Sequence, residues 1–200
     1  TIDATQNLDS YAMVSGIVKS CAVNLSKMCN DLRLMSSGPR TGFCEINLPA
    51  KQNGSSIMPG KINPVIPEVV NQVAFNIIGN DVTITMAAEA GQLELNAFEP
   101  IIFYNLFESI QTLSNAVQTL VDNCIVGITA NEEHCREMVE SSIGIITAIC
   151  PYVGYETAAN IAKEALRTNQ SVRELILQKK LLSEEQLKTI LDPYTMTKPG

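Results

Sequence analysis

Hydrophobic residues in the first part of the chain recur at alternating steps of four and three. Between residues 9 and 36 this spacing is followed by Val14, Val18, Cys21, Leu25, Met28, Leu32 and Met35. It returns between residues 99 and 124, at Phe103, Leu106, Ile110, Leu113, Val117, Leu120 and Cys124. Such spacing places apolar side chains on one face of a helix and is typical of helix bundles and coiled coils. We therefore predict two long bundle helices.

A third long helix is predicted between these two. Residues 67–89 carry apolar positions near the helical period, but Gly79, Asn80 and Asp81 interrupt them with weak helix formers. These three residues could produce a bend. The helix itself should still be long, since the period continues on both sides.

After residue 125 the pattern changes to short segments. Residues 171–174 (Ser-Val-Arg-Glu) and 183–186 (Ser-Glu-Glu-Gln) match the capping box, in which a helix-starting Ser and a Glu or Gln three residues later cap each other's backbone. Three or four small helices are expected here, and no segment forms a convincing strand. The predicted fold is all-α, with part of a central helical bundle domain at residues 1–125 and a small helical domain at residues 126–200.

Composition and charge exclude several classes of protein. With 46% hydrophobic residues in 200, the chain can bury a substantial core. A net charge of −7 argues against nucleic-acid binding, which requires clustered Lys and Arg. No uninterrupted apolar run is long enough to span a membrane. Neither a nucleic acid nor a membrane is therefore an expected partner.

Cysteine and histidine give no sign of a metal site. The six cysteines lie far apart without a Cys-x-x-Cys pair and fall mostly in apolar helical patterns, so we predict reduced core thiols and a cytoplasmic location. His134, the one histidine in the sequence, stands in the first turn of a charged helix and is expected at the surface. Neither shows metal-ligand spacing, and no metal is predicted.

The connection between the first two long helices, residues 37–63, is the candidate functional segment. A loop this long in a compact helical protein is usually functional or disordered. Its second half reads Gly-Ser-Ser-Ile-Met-Pro-Gly-Lys-Ile-Asn-Pro from Gly54 to Pro64. A phosphate-binding P-loop is disfavoured, because five residues separate the glycines, Ile62 follows Lys61 and the flanking segments are helical. A flexible Ser/Gly linker remains the simpler alternative.

The complete string from Gly54 to Pro64 is similar to the signature of the fumarase/aspartase superfamily, whose members cleave C–N or C–O bonds and release fumarate. The sequence after it resembles the aspartase branch more than the fumarate hydratase branch. This resemblance continues over essentially the whole chain, through residues 65–73, 79–81, 86–92, 127–131 and 142–146.

By this resemblance the expected reaction is the reversible elimination of ammonia from L-aspartate to give fumarate, with no cofactor. A base removes a proton beside one carboxylate, and donors aimed at the developing oxyanion stabilise the intermediate. The resemblance implies that Ser55 is the base, acting as an alkoxide, which needs a nearby cation and the exclusion of water. It implies that the substrate is bound by Ser56, the backbone around Ile57 and Met58, Lys61 and Asn63.

Glu68 has two interpretations. Its charge is favourable at the N-terminus of the helix that it opens, which would explain it without any function. The resemblance implies instead that Glu68 pairs with a histidine from another segment of the enzyme. Both interpretations stay open at the level of sequence.

The resemblance also implies a homotetramer in which long helices form a central bundle and three subunits build each site. The chain begins at Thr1 and lacks the family's N-terminal active-site segments, so we expect a C-terminal fragment that is inactive or nearly so. Its exposed apolar stripes should make it a dimer or tetramer. Fumarate hydratase, or a non-catalytic helical oligomerisation module with a vestigial loop, are the alternatives.

Overall fold

The computed structural model describes residues 3–52, 54, 57–58, 62–192 and 194. In these ranges it contains eight α-helices and two strands of two residues each, and the predicted all-α class is confirmed. Residues 1–131 form one compact unit and residues 132–200 a second. The domain assignment 1–125 and 126–200 stays a prediction, because compact units within one chain need not be the domains of a longer protein. None of the described helices is long and apolar enough to cross a membrane.

Three long helices make up most of the first unit: α1 at Asp9–Met35, α2 at Val65–Glu89 and α3 at Glu99–Leu120. α2 packs against both of the others. The predicted bounds agree within a few residues, except for α3, which was predicted to continue to residue 124. It ends at Leu120, and the chain goes on as a five-residue π-helical turn, Val121–Ile125.

α2 runs through residues 79–81 without interruption. Asn80 is a weak helix former, but its side chain is used in tertiary hydrogen bonds to α3. Its Nδ2 donates to Glu108 Oε2 at 3.2 Å and to Ser109 Oγ at 3.1 Å. Packing against a neighbouring helix therefore outweighs the low local propensity.

Asp81 links α2 to α1 in the same way. This residue is 5% exposed, and its carboxylate accepts hydrogen bonds from Ser15 Oγ at 2.7 Å and from Lys19 Nζ at 2.5 Å. A buried carboxylate without partners would be costly, so the two donors fix how the helices align. The interruption in the apolar pattern therefore marks polar contacts between helices.

The buried face of α1 differs from the predicted apolar seam. Its buried residues are Ser15, Ala22, Ser26 and Cys29. In contrast, Val14 is 40% exposed and Met28 is 48% exposed. Small side chains let two helices approach closely, so within this chain α1 packs through them. The larger apolar residues of the seam partly face outward.

The cysteine prediction is partly wrong. All six thiols are free, but only Cys29 and Cys124 are buried among them, and Cys21 is exposed. Burial raises the pKa of Cys29 to about 11, with a smaller contribution from the neighbouring Cys124 thiol, and it also raises the pKa of Cys124. These two thiols are therefore protonated and unreactive near neutral pH.

Five shorter helices form the second unit: α4 at Glu132–Ser141, α5 at Ile146–Val153, α6 at Tyr155–Thr168, α7 at Val172–Gln178 and α8 at Glu184–Ile190. Both predicted capping boxes are confirmed. Ser171 Oγ accepts from Glu174 N at 3.2 Å, and Ser183 Oγ accepts from Gln186 N at 3.2 Å, with the reciprocal bonds present. His134 is exposed, as predicted.

Candidate functional site

The candidate site residues belong to the connection between α1 and α2, except for Glu68, which lies in the first turn of α2. Three of them, Ser55, Ser56 and Lys61, lie outside the described residues. The other four candidates, Ile57, Met58, Asn63 and Glu68, are described. The site can therefore be built from the segments that lead into the signature loop, residues 54–63, and out of it.

The chain leaves α1 through a tightly bonded turn. Ser37 Oγ donates to Leu34 O at 2.6 Å and accepts from Phe43 N at 3.0 Å, while Cys44 N donates to Ser37 O at 2.8 Å. A Cβ at Gly42 would lie 2.4 Å from the Ser37 carbonyl carbon, so this position requires glycine. The turn gives the connection a fixed starting point at the end of α1.

A miniature sheet and two asparagines anchor the next segment. Strand β1, Ile46–Asn47, pairs antiparallel with strand β2, Thr129–Ala130. Asn47 Nδ2 donates to Asn131 Oδ1 at 2.7 Å, and Asn131 Nδ2 donates to Cys44 O at 2.7 Å. These bonds satisfy polar groups that an irregular segment would otherwise leave unpaired. Residues 44–47 are therefore tied to the end of the first unit.

Pro49 continues this anchor toward the signature loop. A Cβ added to Gly127 would lie 3.1 Å from the Cγ atom of Pro49. Gly127 also has a positive φ of +114°. Both the close approach and the positive φ favour glycine there. The ring of Pro49 therefore packs where a side chain at residue 127 would disturb it.

Asn63 closes the signature loop. Its Nδ2 donates to Gly54 O at 2.8 Å, and its own carbonyl accepts from Val65 N, the first residue of α2, at 2.9 Å. One side chain therefore joins the two ends of the loop and sets them at the start of a 25-residue helix. The second hydrogen of the Asn63 amide group remains for another acceptor.

Ile57 and Met58 are strongly exposed. Ile57 is 86% exposed and Met58 is 52% exposed, so neither side chain is part of the core of the first unit. A role in this core therefore does not explain why two large apolar residues stand in the middle of the loop. Their presence fits a segment that meets another surface or a ligand.

Glu68 lies in the first turn of α2, where its charge is favourable at the helix N-terminus. Its Oε1 is 3.7 Å from Nη2 of Arg33, which lies in the last turn of α1. Both side chains are about two-fifths exposed, at 41% for Glu68 and 42% for Arg33. The two charges thus meet where the helices flanking the connection begin and end.

Among the residues that the structure describes, no three His, Cys, Asp or Glu side chains lie close enough together to hold a metal ion. The absence of a metal from the reaction stays a prediction.

Comparisons with known proteins give family relationships for both parts of the chain. A lyase family model matches residues 1–79, and a model of the fumarase C C-terminus matches residues 145–198. An aspartate ammonia-lyase of a Bacillus species is 60% identical over 199 residues, and one from Helicobacter pylori strain 26695 is 58% identical over 198. These alignments cover 100% and 99% of this chain and 42% of each relative.

Solved structures agree with these relatives. A fumarate lyase:delta crystallin from Brucella melitensis, bound to cobalt, matches 98% of the chain with a TM-score of 0.93 and 53% identity. A class II fumarase from Schistosoma mansoni matches 98% with a TM-score of 0.89 and 35% identity. The alignments cover 43% and 41% of those chains.

The chain belongs to the fumarase/aspartase superfamily.

Within this superfamily member, the signature loop was evident from the sequence, whereas its supports were not. Asn47 and Asn131 are 84 positions apart, and neither stands in a pattern that predicts their contact. Arg33 was missed for a similar reason, since its partner Glu68 lies beyond the whole connection. A cation in the last turn of one helix and an anion in the first turn of the next was the available signal.

Proposed function

We propose that the complete protein is an aspartate ammonia-lyase that converts L-aspartate reversibly into fumarate and ammonia. The observation that carries this proposal is that the chain is more similar in sequence to an aspartate ammonia-lyase than to a fumarase. Identity is 60% to an aspartate ammonia-lyase and 35% to a class II fumarase, over nearly the same span. Fumarate hydratase is therefore the less supported alternative. The chain spans 42% of the length of its aspartate ammonia-lyase relative, so the activity belongs to the complete protein.

Ser55 acts as the base in this proposal, removing the proton beside one substrate carboxylate while ammonia leaves from the next carbon. The other loop residues stabilise the carboxylate as charge develops on it, which is usually the largest catalytic contribution. That role falls to Ser56, the backbone around Ile57 and Met58, Lys61 and Asn63. Lys61 also supplies the cation that a serine alkoxide needs.

The surroundings of the loop support this assignment. Asn63 joins the loop ends through its 2.8 Å bond to Gly54, and the bonded turn and miniature sheet hold the preceding segment. Substrate-binding donors are effective when their positions are fixed before the reaction begins. Hydrogen bonds that hold the two ends of the loop meet this requirement, whereas a simple linker would not need them.

The proposal extends to the assembly. Glu68 pairs with a histidine from another segment of the protein, and complete sites form in a homotetramer whose central bundle includes residues 1–125. Residues 126–200 are the small C-terminal domain. This chain alone forms a dimer or tetramer and is inactive or nearly so. The enzyme uses no cofactor and works in the cytoplasm, with no nucleic-acid partner.

The test is fumarate formation, followed by ultraviolet absorbance, from L-aspartate and separately from L-malate. The full-length protein containing this chain is compared with its Ser55→Ala variant. We expect fumarate from L-aspartate and a loss of at least about a hundredfold in the variant, because a general base contributes that much or more. Ser141→Ala, at an exposed serine of α4, is the matched control and should keep full activity.

Each other result points to a different function. Fumarate from L-malate alone would assign the protein to the fumarate hydratase branch. Activity that survives Ser55→Ala would remove Ser55 as the base. Fumarate from neither substrate would favour the non-catalytic helical oligomerisation module.

A further inference from the structure

The Arg33–Glu68 pair lies at the candidate site, and neither the fold nor the proposed reaction explains it. Its atoms Nη2 and Oε1 are 3.7 Å apart, and both side chains are about two-fifths exposed. Exposed ion pairs contribute little to stability, because solvent screens them and ordering two long side chains costs entropy. Stabilisation of the fold therefore does not account for this pair.

Position sets this pair apart from the other ion pairs. Arg33 lies in the last turn of α1 and Glu68 in the first turn of α2, so the pair joins the two helix ends between which the signature loop runs. Each charge is favourable at its own helix terminus. Among the described residues, Arg33 is the cation within 4.0 Å of this carboxylate.

The geometry also leaves one carboxylate oxygen unused by Arg33. The contact is made through Oε1 of Glu68. At 3.7 Å this contact is longer than a hydrogen bond, so it acts through the attraction between the two charges. That attraction favours orientations of the carboxylate in which Oε1 faces Arg33, and a carboxylate can accept from a second donor through its other oxygen.

We propose that Arg33 is a positioning residue, which holds the Glu68 carboxylate through Oε1 so that Oε2 meets the partner histidine. This inference rests on the proposed function, in which Glu68 pairs with that histidine. Arg33 touches neither the substrate nor the reacting atoms. Its effect on the reaction passes through Glu68, and it disappears when Glu68 can no longer act as an anion.

A double-mutant cycle in the full-length protein tests this coupling. Arg33→Gln removes the charge, Glu68→Gln removes its partner, and the double variant removes both. We expect Arg33→Gln to lower kcat about tenfold with KM nearly unchanged, since misplaced groups lose rate rather than substrate affinity. In the Glu68→Gln background the same change should alter kcat by less than about twofold.

Arg33→Lys is the conservative variant and should recover kcat to within about threefold of the wild type. Arg173→Gln is the matched control, because Arg173 Nη2 lies 3.5 Å from Glu184 Oε1 in a comparable exposed pair on α7 and α8. It should leave kcat unchanged. If Arg33→Gln does not fold, Arg33→Lys takes its place, with a smaller loss that must also vanish beside Glu68→Gln.

Three results would overturn the inference: wild-type kcat in Arg33→Gln, a loss in Arg33→Gln that multiplies with that of Glu68→Gln, or an equal loss in Arg173→Gln. These results are distinguishable from failure of the proposed function. If L-aspartate gives no fumarate, or if Ser55→Ala keeps full activity, the function itself is wrong. If Ser55→Ala is inactive but the cycle shows no coupling, only the role of Arg33 is wrong.

Discussion

Among the described residues, the buried hydrophobic side chains of the second unit, apart from Ala158, form one core, whereas those of the first unit fall into three clusters. The single core consists of Ile145, Ile149, Ile161, Ala165, Val172, Leu175, Ile176, Leu187 and Ile190. The separate clusters are centred on Ile84 and Ile102, on Cys29 and Leu120, and on Ala22 and Ile77. Short helices wrapped around one core can bury their apolar faces within the chain. Three long helices can bury them only in part.

Exposed apolar side chains also distinguish the long helices of the first unit. On the long helices, Ile17, Phe75 and Phe107 are 64%, 62% and 64% exposed, and further large apolar side chains of these helices are exposed as well. Large exposed apolar surface is typical of interaction sites. The comparison therefore teaches that the first unit is built to be completed by other surfaces. This supports the proposal that the chain assembles with copies of itself.

Helix starts show a second difference. The N-cap residues of α1, α2 and α3 are Leu8, Pro64 and Phe98, and none has a side-chain cap hydrogen bond. In contrast, α7 and α8 both begin with complete capping boxes. A seven-residue helix is marginal by itself, so its ends must be specified locally. A long helix packed along its length is held by its neighbours instead.

The largest expected effect comes from opening a cavity in the single core. Ile176→Ala should lower the free energy of unfolding of the second unit by about 4 kcal/mol, because Ile176 is fully buried. Hydrogen exchange of the α7 amides, read by mass spectrometry, measures this loss. Ile17→Ala, the same change at a 64% exposed position of α1, should leave α7 exchange unchanged. Equal loss of protection in both variants would show that the loss does not depend on the buried position of Ile176.

A smaller effect should follow from placing a charge on the exposed apolar face of α2. Phe75→Glu should weaken self-association by about 3 kcal/mol, roughly a hundredfold in the dissociation constant, because a carboxylate would replace an aromatic ring that we expect the assembly to bury. Light scattering across a concentration series measures this. Leu166→Glu, at a 69% exposed position of α6, is the control and should have no effect. A monodisperse wild-type monomer would reject self-association altogether.

The smallest effect concerns the helix caps. Ser171→Ala should destabilise α7 by about 1 kcal/mol, whereas Ser171→Gly should cost only a few tenths, because glycine is tolerated at an N-cap and alanine is not. Exchange of the amides of Val172–Gln178 again provides the measurement. If both substitutions cost the same, the capping box does not hold the start of α7, and the contrast with the long helices would weaken.

Sequence periodicity predicted the helices well, because the spacing of apolar residues reflects the helical repeat directly. It did not identify which face of α1 is buried within this chain. A step pattern of three and four identifies an apolar stripe without stating which surface covers it. In this chain Val14 and Met28 are exposed, while Ser15 and Ala22 make the close contacts to neighbouring helices. The apolar stripe could be predicted from its spacing, whereas the small residues that pack α1 within the chain follow no such pattern.

The candidate site was predictable in the same uneven way. A contiguous signature is visible in the sequence, so the loop and its candidate residues could be named. Asn47, Asn131 and Arg33 could not, because each acts through a partner that is distant along the chain. The polar interruption at Asp81 was even interpreted as a weakness of α2, although it is where α2 bonds to α1.

The sequence by itself determined the all-α class, the helices, the capping boxes and the superfamily, since each depends on residues that are neighbours in the chain. Tertiary structure alone decided which helix face is buried, which loop end Asn63 holds and which cation faces Glu68. Those choices depend on the free energy of contacts between distant residues. Burial, close approach and charge pairing act through space, and the order of residues records them only indirectly.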